Sequence, residues 1–151
     1  MDTIIVYASM TGTTELIARS IAGELARADW HVTVKDAVDT FAEELLAYDC
    51  ILIGSYTWGD GELADEIICF HDELLAVPLS GKIAAAFGAG DSSYEQFGRA
   101  VNLLEETLEN KGCQVIKPGL KVDGGSEEEI KTISFSFAKK INELTKPYDS
   151  E

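Results

Sequence analysis

The sequence predicts one α/β domain, residues 1–151, in which a five-stranded parallel sheet carries helices on both faces. Three observations predict it. Short β-rich runs alternate with amphipathic helical patterns along the chain. The run Cys50-Ile51-Leu52-Ile53-Gly54 is apolar without a break, which suits a central parallel strand buried on both faces. A length of 151 residues suits one core, and no repeat, low-complexity tract or linker divides it.

Taken in order, residues 3–8 read as the first strand. Leu16, Ile17, Ile21 and Leu25 then lay an apolar stripe along a helix that closes near Asp29. His31-Val32-Thr33-Val34-Lys35 alternates polar with apolar, as a strand near a sheet edge does. A short helix over 41–47 leads to the central strand at 50–54. Leu63, Ile67, Phe70 and Leu74 follow the spacing of a third helix. The fourth strand, 83–88, contains alanines small enough for helices to approach closely. Phe97, Val101, Leu104 and Leu108 mark a fourth helix, stopped near Lys111-Gly112. Residues 114–116 and 120–122 are pieces of a fifth strand, parted by Pro118 and Gly119. The last helix carries Ile130, Ile133, Phe137 and Ile141, behind a capping box of Ser126 and Glu129.

Twelve Lys and Arg against 27 Asp and Glu leave a net charge of −15. That sign argues against nucleic acid and anionic membrane surfaces, and it favours partners with basic docking patches. No apolar run approaches the ~18 residues of a membrane span, and residues 1–8 lack the basic start of a signal peptide. Cys50, Cys69 and Cys113 are odd in number and without CxxC spacing, so reduced thiols in the cytoplasm are expected. Cys69 and His71 stand two apart on a helix and face different ways, which gives no metal site.

In an open sheet of this kind, ligands bind beyond the carboxyl ends of the strands, where strand order reverses. The loops there are 9–14, 55–61 and 88–98. The first is Ser9-Met10-Thr11-Gly12-Thr13-Thr14, opening directly into a helix. Its hydroxyls, its glycine and the positive end of the helix dipole make an anion site. A simple N-cap needs one hydroxyl, and this loop has four. It has no Lys or Arg, so it is not the phosphate loop of nucleotide hydrolases, where such a charge must be neutralised. A phosphate held by neutral donors is an immobile handle on a cofactor. The second loop places Trp58 between Thr57 and Gly59-Asp60-Gly61. The third, running from Gly88 through Ala89, Gly90, Asp91, Tyr94 and Phe97 to Gly98, places a tyrosine similarly. Two aromatic faces beside a phosphate site suggest a planar ring between them. Receiver domains share this architecture but carry acids after strand one, where Tyr7 and Ala8 stand here.

Ser-x-Thr-Gly-x-Thr at 9–14, Thr-Trp-Gly-Asp-Gly at 57–61 and Gly-Asp-Ser-Ser-Tyr at 90–94 resemble the three FMN loops of the flavodoxins. The loop spacing, the βα units and the length match as well. Residues 114–125 leave no room for an inserted loop, so the chain is similar to the short-chain group. The resemblance implies a doubly wound sheet of order 2-1-3-4-5. It also implies that Ser9 through Thr14 hold the FMN phosphate, with Met10 serving through its backbone amide. By the same resemblance, Thr57 contacts the ribityl chain, while Trp58 and Tyr94 cover the two ring faces. The backbone at Asp91 and Gly98 bonds the pyrimidine oxygen, and the Gly59 peptide turns to accept a bond from flavin N5 in the semiquinone. Asp60, Ala89, Gly90 and Phe97 complete the loops. Tyr56 and Gln96 depart from the common family residues.

The resemblance implies a low-potential one-electron carrier, shuttling between semiquinone and hydroquinone and passing electrons from reductases to acceptor enzymes. A titration without a blue neutral semiquinone would count against it. No nucleophile–base pair and no second dinucleotide loop points to turnover of a substrate. Six carboxylates at ~12 Å in an effective dielectric of ~40 would oppose an anionic reduced flavin by roughly 4 kcal/mol, about 180 mV for one electron. Asp60, Glu62, Asp65, Asp91 and Glu95 would steer redox partners that carry basic patches. The alternative on the same fold is an FMN-dependent NAD(P)H:quinone reductase. Such enzymes add insertions and oligomerise, whereas this compact chain is expected to be a monomer.

Overall fold

The computed structural model describes residues 1–9, 12–58, 62, 63, 65–90 and 98–149. In chain order its elements are β1 (Asp2–Ala8), α1 (Thr13–Arg27), β2 (His31–Asp36), β3 (Cys50–Ser55), β4 (Thr57–Trp58), β5 (Glu62–Leu63), α2 (Asp65–Leu74), β6 (Ile83–Ala89), α3 (Arg99–Asn110), β7 (Gln114–Val115), β8 (Leu120–Val122) and α4 (Glu127–Asp149). The parallel sheet runs β2-β1-β3-β6, with β7 and β8 both on the outer edge of β6. The doubly wound order 2-1-3-4-5 is therefore present, its fifth position filled by two short pieces.

Each strand's sequence follows from its place. β1, β3 and β6 have neighbours on both sides and helices on both faces, so nearly every residue in them is buried. β2 is an edge strand and alternates exposed with half-buried residues over its first four positions. The sheet divides the interior into two clusters. Ile4, Ile51 and Ile53 face α2 and α3 through Phe70, Leu74, Leu104 and Leu108. Ile5, Leu52 and Phe87 face α1 and α4 through Ile17, Ile21, Phe137 and Ile141. Truncating one of the fully buried isoleucines to alanine costs about 2–5 kcal/mol.

The outer strand breaks at Pro118 and Gly119, as its sequence predicts. Glu105, buried on α3, repairs the gap: its Oε2 accepts the Gly119 N–H at 2.8 Å, where a neighbouring strand would otherwise bond.

Four expectations are corrected. Residues 42–47 form a 3-10 helix, following another at 37–39. Local side-chain bonds hold these tight turns, with Asp36 accepting from Val38 N at 3.0 Å and Glu44 from Phe41 N at 2.7 Å. Leu63 belongs to β5 and not to the helix of Ile67, Phe70 and Leu74. Ile133 is 44% exposed, and the buried position on that turn of α4 is Ser134. The inward stripe is 130, 134, 137, 138, 141 and 145, with the Ser134 and Thr145 hydroxyls bonded back to Ile130 O and Ile141 O. Ser126 Oγ does accept from Glu129 N at 3.1 Å, but it also bonds Glu129 Oε1 itself, so the reciprocal arm of the capping box ends on the hydroxyl.

Candidate functional site

Three loops leave the carboxyl ends of β1, β3 and β6. These strands are adjacent in the sheet, with Ala8 beside Ser55 and Gly54 beside Phe87, so the loops emerge side by side. The sheet order reverses between β1 and β3, which opens a crevice between their ends.

The first loop is built around Gly12. It caps α1 at φ +95°, a left-handed conformation that strains any residue with a Cβ. Its N–H donates to Ser9 Oγ at 3.0 Å and its carbonyl accepts from Leu16 N at 2.9 Å. The cap residue therefore offers the first turn no side-chain acceptor. This differs from the simple threonine cap. Thr14 is 1% exposed, and its Oγ1 has no hydrogen-bond partner among the described residues. The other orphaned hydroxyl among the described residues, Thr3 Oγ1, lies at the opposite end of β1. A buried hydroxyl without a partner costs about 1–3 kcal/mol. At the start of a helix, an anion's oxygen would relieve that cost.

The first charged side chains on α1 pair with one another. Arg19 Nε is bonded to Glu15 Oε2 at 2.9 Å, both on the outer side of α1. Burial, and then the Glu15 carboxylate, raise the Tyr7 phenol above its ordinary value. An anion here meets backbone amides, hydroxyls and the dipole.

In the second loop, buried Ser55 donates its hydroxyl to Tyr56 O at 2.8 Å. Thr57 and Trp58 then pair antiparallel with Leu63 and Glu62. The sequence reading missed this pairing. The glycine-flanked Gly59-Asp60-Gly61 between the two pairs was its signal.

The third loop leaves β6 at Ala89 and Gly90, both half-buried, and Gly90 N–H donates to Val122 O at 2.9 Å. It returns at Gly98, buried and left-handed at φ +65°, which caps α3 without a side-chain bond. The Lys121 side chain crosses Gly98. The sequence reading missed this lysine because nothing local to residues 88–98 points to it.

Of the expected site residues, Ser9, Gly12, Thr13, Thr14, Ala89, Gly90 and Gly98 all stand at this edge, and the backbone of Thr57 and Trp58 joins them there as β4. Met10, Thr11, Gly59, Asp60, Asp91, Tyr94 and Phe97 lie outside the described residues, as do Tyr94's neighbour Glu95 and Gln96.

A family model described as Flavodoxin matches residues 5–135. "Probable flavodoxin 2" of Bacillus subtilis is 37% identical over 142 residues, 91% of this chain and 94% of that protein. The flavodoxin of Maridesulfovibrio salexigens is 39% identical over 142 residues, 91% and 97% of the two chains. The crystal structure of oxidised Flavodoxin 1 from Bacillus cereus superposes with a TM-score of 0.87 at 38% identity, covering 92% of this chain and 95% of that one. A Fusobacterium nucleatum flavodoxin bound to flavin mononucleotide shares the fold, with a TM-score of 0.79 at 14% identity, covering 95% and 98% of the two chains.

Proposed function

The chain belongs to the flavodoxin family, and on that premise we propose that its three loops hold FMN with the phosphate at the start of α1. It is an FMN-binding electron carrier and not an enzyme with a substrate of its own. FMN supplies the redox chemistry when bound, taking up and releasing electrons.

The observation that carries the proposal is the unpartnered, buried Thr14 hydroxyl beside a glycine-capped helix start. Ser9, Met10, Thr11, Gly12, Thr13 and Thr14 hold the phosphate in this reading, the first through its hydroxyl and Met10 through its amide. Thr57 would meet the ribityl chain, and Trp58 and Tyr94 would cover the two ring faces. Asp91 and Gly98 would bond the pyrimidine edge through their backbones, and the Gly59 peptide would serve ring N5. Asp60, Ala89, Gly90 and Phe97 complete the walls. One domain, 1–151, suffices for all of this.

The finer reading follows from charge. A surplus of 15 negative charges opposes adding electrons to the cofactor, so the carrier works at low potential. The same surplus attracts redox partners with basic patches. The protein acts as a monomer in the cytoplasm. No helix among the described residues is long and apolar enough to cross a membrane.

Titrating the apoprotein with FMN and with riboflavin tests the cofactor reading. Loss of the phosphate's charge-assisted hydrogen bonds should weaken riboflavin at least about hundredfold. Absence of flavin absorption after reconstitution with FMN would overturn it. Electron transfer to a basic partner should slow as salt is added, because exposed charges are screened within about 10 Å at 0.1 M.

A further inference from the structure

β8 lies along the mouth of the third loop. Gly88 is paired with Lys121, and Gly90 bonds Val122 where the loop leaves β6. Where the loop returns, the Lys121 stem packs on Gly98. A Cβ built on that glycine would stand 2.5 Å from Lys121 Cδ, 2.7 Å from Cγ and 3.0 Å from Cε. The ammonium donates to Asn102 Oδ1 at 2.7 Å. One side chain thus reaches from the start of the loop to its end, its stem held by packing and its head by an amide.

The amide is the informative partner. Lys35, Lys117 and Lys131, like Arg19 and Arg27, are held by carboxylates, and Lys82, Lys111 and Lys140 donate to backbone carbonyls away from the third loop. Among the described residues no carboxylate stands within ion-pair distance of Lys121. The first turn of α3 contains no acid and opens with Arg99, whereas α1 carries Glu15 there and α4 carries Glu127, Glu128 and Glu129. Cations at a helix start oppose the dipole. A hydrogen bond to neutral Asn102 positions the ammonium without cancelling its charge.

We propose that the Lys121 ammonium raises the potential at which the cofactor takes its second electron; this rests on the reading that FMN sits against the third loop. Fully reduced FMN is anionic at ring N1, and the chain's carboxylate surplus opposes that charge. A cation fixed over Gly98 offsets part of the opposition. In this step one electron passes from the reductase, which is oxidised, to FMN, which is reduced. No bond to the protein forms or breaks, and the negative charge stays on the ring.

The test uses FMN-loaded wild type, Lys121→Met, Lys121→Gln and Lys121→Arg, with potentials from dye-coupled reductive titration and dissociation constants for oxidised FMN. Met and Gln should weaken binding of fully reduced FMN about tenfold relative to oxidised FMN, lowering the second-electron potential by about 59 mV. Arg should keep the wild-type value, and the gap should narrow with added salt. An unchanged potential in Met and Gln overturns the proposal. So does a shift that Arg shares, or an equal loss of affinity in both redox states, since packing alone would produce either. If wild type bound no FMN, the cofactor reading would fall instead.

Discussion

Two helices of the same face, α1 and α4, both begin at the carboxyl edge of the sheet, and they begin in opposite ways. α4 satisfies its own start. Ser126 Oγ accepts from Glu129 N, Ser126 O accepts from Ile130 N, and three glutamates complement the dipole. α1 starts on a left-handed glycine with no side-chain cap, and the Thr14 hydroxyl beneath it has no partner. A helix that caps itself has nothing left for a ligand. A helix that leaves its start open gives up stability in the free protein, and an anion restores that stability on binding.

The most severe break of this contrast is Thr14→Val, which keeps the shape and removes the orphaned hydroxyl. FMN affinity should fall at least about tenfold while the apoprotein gains about 1–2 kcal/mol, because a lone buried polar group is replaced by an apolar one. Isothermal titration and urea unfolding of the apoprotein measure the two. Loss of both affinity and stability would show that Thr14 serves the fold and not the ligand.

Gly12→Ala should cost about 1–2 kcal/mol through left-handed strain alone, since nothing among the described residues lies within 4 Å of a Cβ there. FMN binding should weaken with it. Ser126→Ala is the matched change at α4. It should cost about 1 kcal/mol in unfolding and leave FMN affinity at the wild-type value. If both helices responded alike in FMN affinity, the contrast between open and closed starts would be lost.

The smallest effect belongs to His71, on the other face, where its Nε2 lies 2.8 Å from Thr107 Oγ1 between α2 and α3. Burial pushes its pKa below the ordinary value, against an opposing pull from Asp72. Between the folded pKa and about 6.5, the unfolded chain binds a proton that the folded chain refuses. Stability therefore falls as pH drops through that window and is fully present above it. His71→Gln should flatten this part of the profile of urea midpoint against pH, by less than about 1 kcal/mol, with FMN affinity unaffected.

Most of the fold was legible because burial writes itself into local pattern. Unbroken apolar runs at β1, β3 and β6 marked strands covered on both faces, and Pro118-Gly119 marked the break in the outer strand. Patterns failed where a hydroxyl substituted for an apolar residue. Ser134 and Thr145 sit in the core by bonding back to their own helix, so a stripe drawn through apolar residues alone passed to exposed Ile133. Leu63 kept helical spacing by coincidence, and its strand pairing with Thr57 overrode it. At the site, the hydroxyl-rich composition of the turn was legible, but the orphaned state of Thr14 was not, since a missing partner exists only in three dimensions.

By itself, then, the sequence determined the alternation of strands and helices, the three loops at one edge, and the neutral, hydroxyl-rich composition of the turn at 9–14. Each depends on residues close together in the chain, where periodicity, glycine and hydroxyl content act directly. Tertiary structure alone decided that Glu105 closes the gap at Gly119 and that Lys121 crosses Gly98 to reach Asn102. Both contacts are set by the register of a short outer strand against β6 and α3, and no local pattern encodes a register between distant segments.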